Sequence, residues 1–146
     1  MKYFLIPLCA IFMLSCSSSV SYKGNDDDKA EVIKFSRHIQ RIMTIGEEAH
    51  FLKHVKPEYL NEQLTTNLGG DTTKFLNEFF CGKMNEKQSC MPFQEIMKVK
   101  LLEINGQKNN TFSVKYQIEN KVKESMVTEV YISKKEETFF IYSAVG

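Results

Sequence analysis

The chain has no tryptophan, and only three prolines and three histidines among its 146 residues. It also lacks a charge of one dominant sign, since 19 Lys and Arg face 18 Asp and Glu. Setting Lys2 aside as part of a removable leader balances the two signs. A domain without a basic surplus has no footprint for a phosphate backbone, so no nucleic acid is expected as partner. Long apolar runs are missing too. The longest, Tyr3 to Leu14, would make only about 18 Å of helix against a hydrocarbon core of about 30 Å. No Gly-rich phosphate loop, nucleophile elbow or paired-carboxylate motif occurs. The expectation is therefore a non-enzymatic protein, with no catalytic residue, cofactor or resident metal. What is present, 42% hydrophobic and 25% charged residues, is enough for one folded domain.

The amino terminus is more explicit. Met1-Lys2 gives a short positive start, the apolar run follows, and it ends in Phe12-Met13-Leu14-Ser15-Cys16. This is the layout of a secretory signal rather than a spanning helix. The ending resembles the bacterial lipobox, in which a small residue precedes the cysteine that is acylated and becomes the new terminus. Ser15 fits the small position; Met13 and Leu14 depart from the usual leucine and small residue. The resemblance implies a signal peptide over 1–15 and lipidation of Cys16 (palmitate among the acyl chains), with membrane attachment through that lipid. Cys9 lies inside the apolar run and is discarded with it. Ser17 after the lipid cysteine resembles the sorting pattern that favours the outer membrane. Residues 16–29, serine-rich and then acidic at Asp26-Asp27-Asp28, read as a flexible tether. That acidic run is also the kind of signal some lipoproteins use to reach the cell surface.

The folded domain is expected over 30–146. Val32, Phe35, Ile39, Ile42 and Met43 make a helical stripe, with Asp28 as its cap and Gly46 as its end. A second helix carries Phe51, Leu52, Val55, Tyr59 and Leu60, kinked or split at Pro57. A third, capped by Asp71 or Thr72, carries Phe75, Leu76, Phe79 and Phe80. After Pro92 the period changes to two. Ile96 to Ile104, Phe112 to Glu119, Met126 to Ser133 and Thr138 to Val145 read as four consecutive strands. The fold class is α+β, about three helices packed on a curved four-stranded antiparallel sheet. That order, with the "FLKHVKPEYL" stretch and the closing "ETFFIYSAVG", resembles the cystatin-like, nuclear-transport-factor-like superfamily of cone-shaped domains, in its uncharacterised small-lipoprotein branch.

Of four cysteines, Cys81 and Cys90 remain. An even remainder in an exported domain is expected to pair as a structural disulfide across the polar loop Gly82 to Ser89. No further Cys or His in that loop favours a metal, and the spacing is wider than a redox Cys-x-x-Cys. Glu47, His50 and His54 have the spacing to hold zinc on one helical face. That face lies opposite Phe51, Leu52 and Val55, and solvent-exposed histidines are the expected reading. In enzymes of the cone superfamily an acid or base lies between first helix and sheet; His38, Asp71, Tyr116 and Tyr131 are the polar groups available. Should the cone be hollow, His38, Phe112, Tyr116, Tyr131 and Phe140 are the residues expected to line it, around a small apolar ligand. The expected function is a cell-envelope lipoprotein whose domain binds a protein or envelope partner. A ligand carrier or sensor is the alternative, and an enzyme a lesser one.

Overall fold

A computed structural model of the chain describes residues 19–145. The expected signal peptide, Cys9 and Cys16 lie outside them. Strand β1 (Ser21–Lys23) leads through a 3-10 turn (Asp26–Asp28) into helix α1 (Lys29–Ile45). Its buried residues, Val32, Ser36, Ile39, Ile42 and Met43, recur at helical spacing and lay one face against the sheet. Gly46 ends it in the left-handed conformation, φ 71°, donating its N–H to the Ile42 and Met43 carbonyls. Asp28 stands before α1 but makes no capping bond there; its carboxylate accepts instead from Lys134.

Pro57 splits the second expected helix. Helix α2 (Glu48–His54) ends because residue 56 precedes a proline and is driven toward extended backbone, ψ 124°. Helix α3 (Pro57–Thr66) then starts with that proline at its first turn. Helix α4 (Thr72–Phe79) is capped by Asp71, whose carboxylate accepts from the Thr73 and Lys74 amides.

The chain then forms a hairpin, β2 (Cys81–Met84) and β3 (Lys87–Cys90), where a plain polar loop was expected. Asn85 and Glu86 both take positive φ at its turn, the conformation that matches hairpin twist. Cys81 and Cys90 face each other in register and are joined by a disulfide, with Cα atoms 3.9 Å apart.

Strands β4 (Ile96–Gly106), β5 (Thr111–Asn120), β6 (Ser125–Lys135) and β7 (Thr138–Val145) pair antiparallel in sequence order. Against the expected four-stranded antiparallel sheet, β1 adds a fifth strand, parallel to β4, and makes the sheet mixed. The α+β class holds, with four helices among the described residues rather than about three, and a separate two-stranded sheet. Of the stretch 16–29, expected as a tether, Ser21–Lys23 form β1, Asp26–Asp28 the 3-10 turn, and Lys29 opens α1. Lys134 clamps it, donating 2.9 Å to Asp28 and 2.6 Å to Glu31 while lying over the Phe139 ring. Those two carboxylates hold the Lys134 ammonium above its ordinary pKa range.

Alternation along β5 and β6 decides the core. Phe112, Val114, Tyr116 and Ile118 with Met126, Thr128, Val130 and Ile132 are buried under the helices. A second knot of rings, Phe51 with Phe79, Phe80 and Phe93, closes the space between α2, α4 and the start of β4, with centroids 5.2 to 5.5 Å from Phe51.

Candidate functional site

The residues expected to line one cavity do not meet. Tyr116 is wholly buried, and its hydroxyl donates 2.9 Å to the Ser36 carbonyl of α1. Burial holds that phenol well above its ordinary pKa, the hydrogen bond opposing only in part, so it stays protonated. Phe112 is buried beside Phe139, their centroids 6.0 Å apart. These two are core. Tyr131 and Phe140 alternate with the buried positions of β6 and β7, so they stand on the other side of the sheet and are only half-buried. Asp71 is occupied at the α4 cap. His38 is exposed on α1.

The histidines are closer than their sequence spacing suggests. His50 pairs with Glu47 on the first turn of α2. His54 turns away from that pair and meets His38 across the α1–α2 junction, edge to face at 5.1 Å, with Phe35 on its other side at 5.4 Å. It is therefore half-buried rather than in open solvent. Among the described residues no group of three or more His, Cys, Asp or Glu is placed to hold a metal ion. Burial lowers the His54 pKa below its ordinary 6.5, and His38, His50 and Lys53 add to the effect. The unfolded chain thus binds the His54 proton more readily than the folded one. Its contribution is fully present above pH 6.5 and is lost as pH falls through the folded-state value. Urea midpoints at about pH 7.5 and about pH 5 should therefore differ more in the wild type than in His54→Gln. Equal differences in the two proteins would remove His54 from the acid response.

The more promising concavity lies beside α3. An open groove of about 440 Å³ is lined by Lys56, Glu58, Tyr59, Glu62, Thr111, Ser133 and Tyr142. Pro57 sets the start of α3 here, and the Lys56 amide donates 2.7 Å to the Ile141 carbonyl, fixing the helix against β7. Thr111 and Ser133 face each other in register at the far end of β5 and β6. Tyr59 is half-buried, and burial raises its phenol pKa, so the hydroxyl remains a donor and acceptor at neutral pH. The lining thus combines two half-buried tyrosine rings, two aliphatic hydroxyls and exposed charges of both signs. Sequence reasoning counts Tyr59 as a helix-stripe residue and Tyr142 as a sheet aromatic. The local sign of the groove is the like-charge pair Glu58 and Glu62, one helical turn apart, a spacing that destabilises an isolated helix.

Comparison with protein-family models, with curated proteins and with solved structures finds no match for this chain.

Proposed function

We propose that the protein is a lipid-anchored, non-enzymatic cell-envelope module that holds a protein partner in the groove beside α3. The observation that carries this reading is the groove itself, lined by half-buried Tyr59 and Tyr142 together with exposed Lys56, Glu58 and Glu62. Aromatic anchors inside a polar rim are what protein-binding hot spots are made of. The sequence of a lipobox supplies the anchor, and the outer membrane is its proposed address. The cone-shaped, cystatin-like reading is supported by α1 lying across the sheet formed by β4 to β7, with Gln40 donating 2.8 Å to the Val99 carbonyl. Less supports an apolar-ligand carrier, because Tyr116, Phe51, Phe80 and Phe93 occupy the space such a ligand would need. Less again supports an enzyme, since His38, Asp71, Tyr116 and Tyr131 lie in separate surroundings.

Two measurements test the halves of this reading separately. Cys16→Ser is expected to leave an unprocessed precursor and to abolish fatty-acid labelling; unchanged labelling refutes the anchor. A photocrosslinker placed at Thr111 of the membrane-anchored protein is expected to yield one discrete protein adduct in intact cells. Tyr142→Ala should reduce that adduct about tenfold or more while the fold is retained. An adduct indifferent to Tyr142, or none at all, refutes the groove.

A further inference from the structure

The α1–α2 junction brings two imidazoles together without an acid between them. His38 and His54 meet edge to face at 5.1 Å, and Phe35 backs His54 at 5.4 Å. Phe35 in turn stacks on Phe139 at 5.3 Å, so His54 is seated against an aromatic pile that leads into the core. Among the described residues the one imidazole paired with a carboxylate is His50, held by Glu47. The charges around the contact are mostly positive. Helix α2 brings His50 and Lys53 to His54, and both oppose its protonation. On α1, Lys34 lies one turn before His38 and lines a crevice with it. Of the two acids in that crevice, Glu31 is bound by Lys134, which leaves Glu137 of the β6–β7 turn. Strand β7 meets the junction through Phe139 and Ile141, neither of them titratable.

This contact stands two residues from the groove. His54 is the last residue of α2. Val55 then bridges to Ile141, and the Lys56 amide donates to the Ile141 carbonyl. Lys56 lines the groove, and Pro57 begins α3, which supplies Glu58, Tyr59 and Glu62 to the same lining. Helix α3 has no fully buried residue, so its hold on the domain rests chiefly on this junction and on the partly buried Tyr59, Leu60 and Leu64. Lightly buried elements are the first to open in a folded domain. A displacement of His54 therefore reaches the groove through a short extended link, into the helix least able to resist it.

We infer that the His38–His54 contact is an acid-sensitive latch on the groove, shut at neutral pH and opened by charging both rings. This rests on the partner-groove reading above. Two protonated imidazoles side by side in half-buried surroundings repel each other, and the nearby cations add to the repulsion. The end of α2 is driven from α1 and carries Val55 and Lys56 away from Ile141. The start of α3 loosens, and a partner held at neutral pH is released in mild acid. Histidine is the side chain whose charge changes in that range. Because His54 takes up its proton below the ordinary 6.5, the latch stays shut until the surroundings turn acidic.

The test follows amide hydrogen exchange in the full chain at about pH 7.5 and about pH 5, each corrected for the intrinsic rate. The stretch from Val55 to Leu60 holds the Lys56 amide bonded to Ile141 and the Leu60 amide bonded to Lys56. Its protection is expected to fall about tenfold in acid, while that of Phe112 to Ile118 in β5 is retained. His54→Gln should keep the stretch protected at both pH values. His38→Gln, which leaves His54 in place, should roughly halve the response. Equal losses in the wild type and both variants overturn the latch, as does a loss shared with β5. A second arm reads the partner through the Thr111 crosslinker in intact cells. The adduct is expected to drop several-fold on acidification in the wild type and to persist in His54→Gln. An adduct that drops alike in both, or in neither, overturns the release. No adduct at either pH refutes the groove reading and the release with it, and is told apart from a failed latch by exchange that still answers to His54.

Discussion

Phe51→Ala is expected to lower the unfolding free energy by about 3–5 kcal/mol, bringing the urea midpoint down by roughly 2 M. Phe51 is wholly buried and touches three other rings, Phe79, Phe80 and Phe93, contributed by α4, the residue after it and the turn before β4. None of those neighbours can close the gap without moving its own element. Removing the ring forfeits apolar burial and leaves a cavity that collapses poorly, which puts the change at the severe end for a single substitution. Phe51→Leu, which keeps most of the volume, should recover more than half of the loss. An alanine variant within about 1 kcal/mol of wild type would mean that this knot is loosely packed, and that its surroundings yield freely.

The second large effect belongs to the Cys81–Cys90 disulfide. Replacing both by Ala is expected to cost about 2–3 kcal/mol, the chain-entropy value for a closed loop this short. The bond closes the open end of the β2–β3 hairpin, beside a backbone hydrogen bond of 2.8 Å from the Met91 amide to the Phe80 carbonyl. That hydrogen bond continues the ladder inward, so part of the geometry should survive reduction. Peptide mapping without reductant should recover the two cysteines linked. Two free thiols in exported protein, or a midpoint unchanged by the double substitution, would remove the bond from the stability of the domain.

How far the sequence discloses this architecture depends on whether the signal is local. Phe112, Val114, Tyr116 and Ile118 alternate without interruption, and β5 is found where that alternation lies. Pro57 announces the break between α2 and α3 by forbidding helical backbone before it. Strand β1 carries no such signal. Ser21, Tyr22 and Lys23 are too few for a period, and their pairing depends on Glu103 to Asn105, about eighty residues later. The β2–β3 hairpin is hidden for a different reason: Cys-Gly-Lys-Met and Lys-Gln-Ser-Cys do not alternate, and the Asn85-Glu86 turn has no glycine.

The candidate sites divide along the same line. The proposal for Cys16 draws on sequence alone, since a processing signal must be read from the unfolded chain. The partnership of Cys81 and Cys90 follows from counting. The groove is invisible because Tyr59 and Tyr142 come from a helix and a strand more than half the chain apart, and each has an adequate explanation as core-facing ring or sheet aromatic. His38 and His54 likewise meet only once α1 and α2 are folded together.

The parallel placement of β1 also has a mechanical meaning. A pull on the chain ahead of Ser21 would reach the fold first through the pairing of β1 with β4. Because β1 lies lengthwise along β4, such a pull has a component along the strand axis. The hydrogen bonds of the pair are then loaded together, in shear, rather than opened one at a time as a zipper would be. Behind them the Lys134 clamp on Asp28 and Glu31 ties the start of α1 to β6, the fourth of the five strands. A short strand thereby stands between a pull on the preceding chain and the first helix.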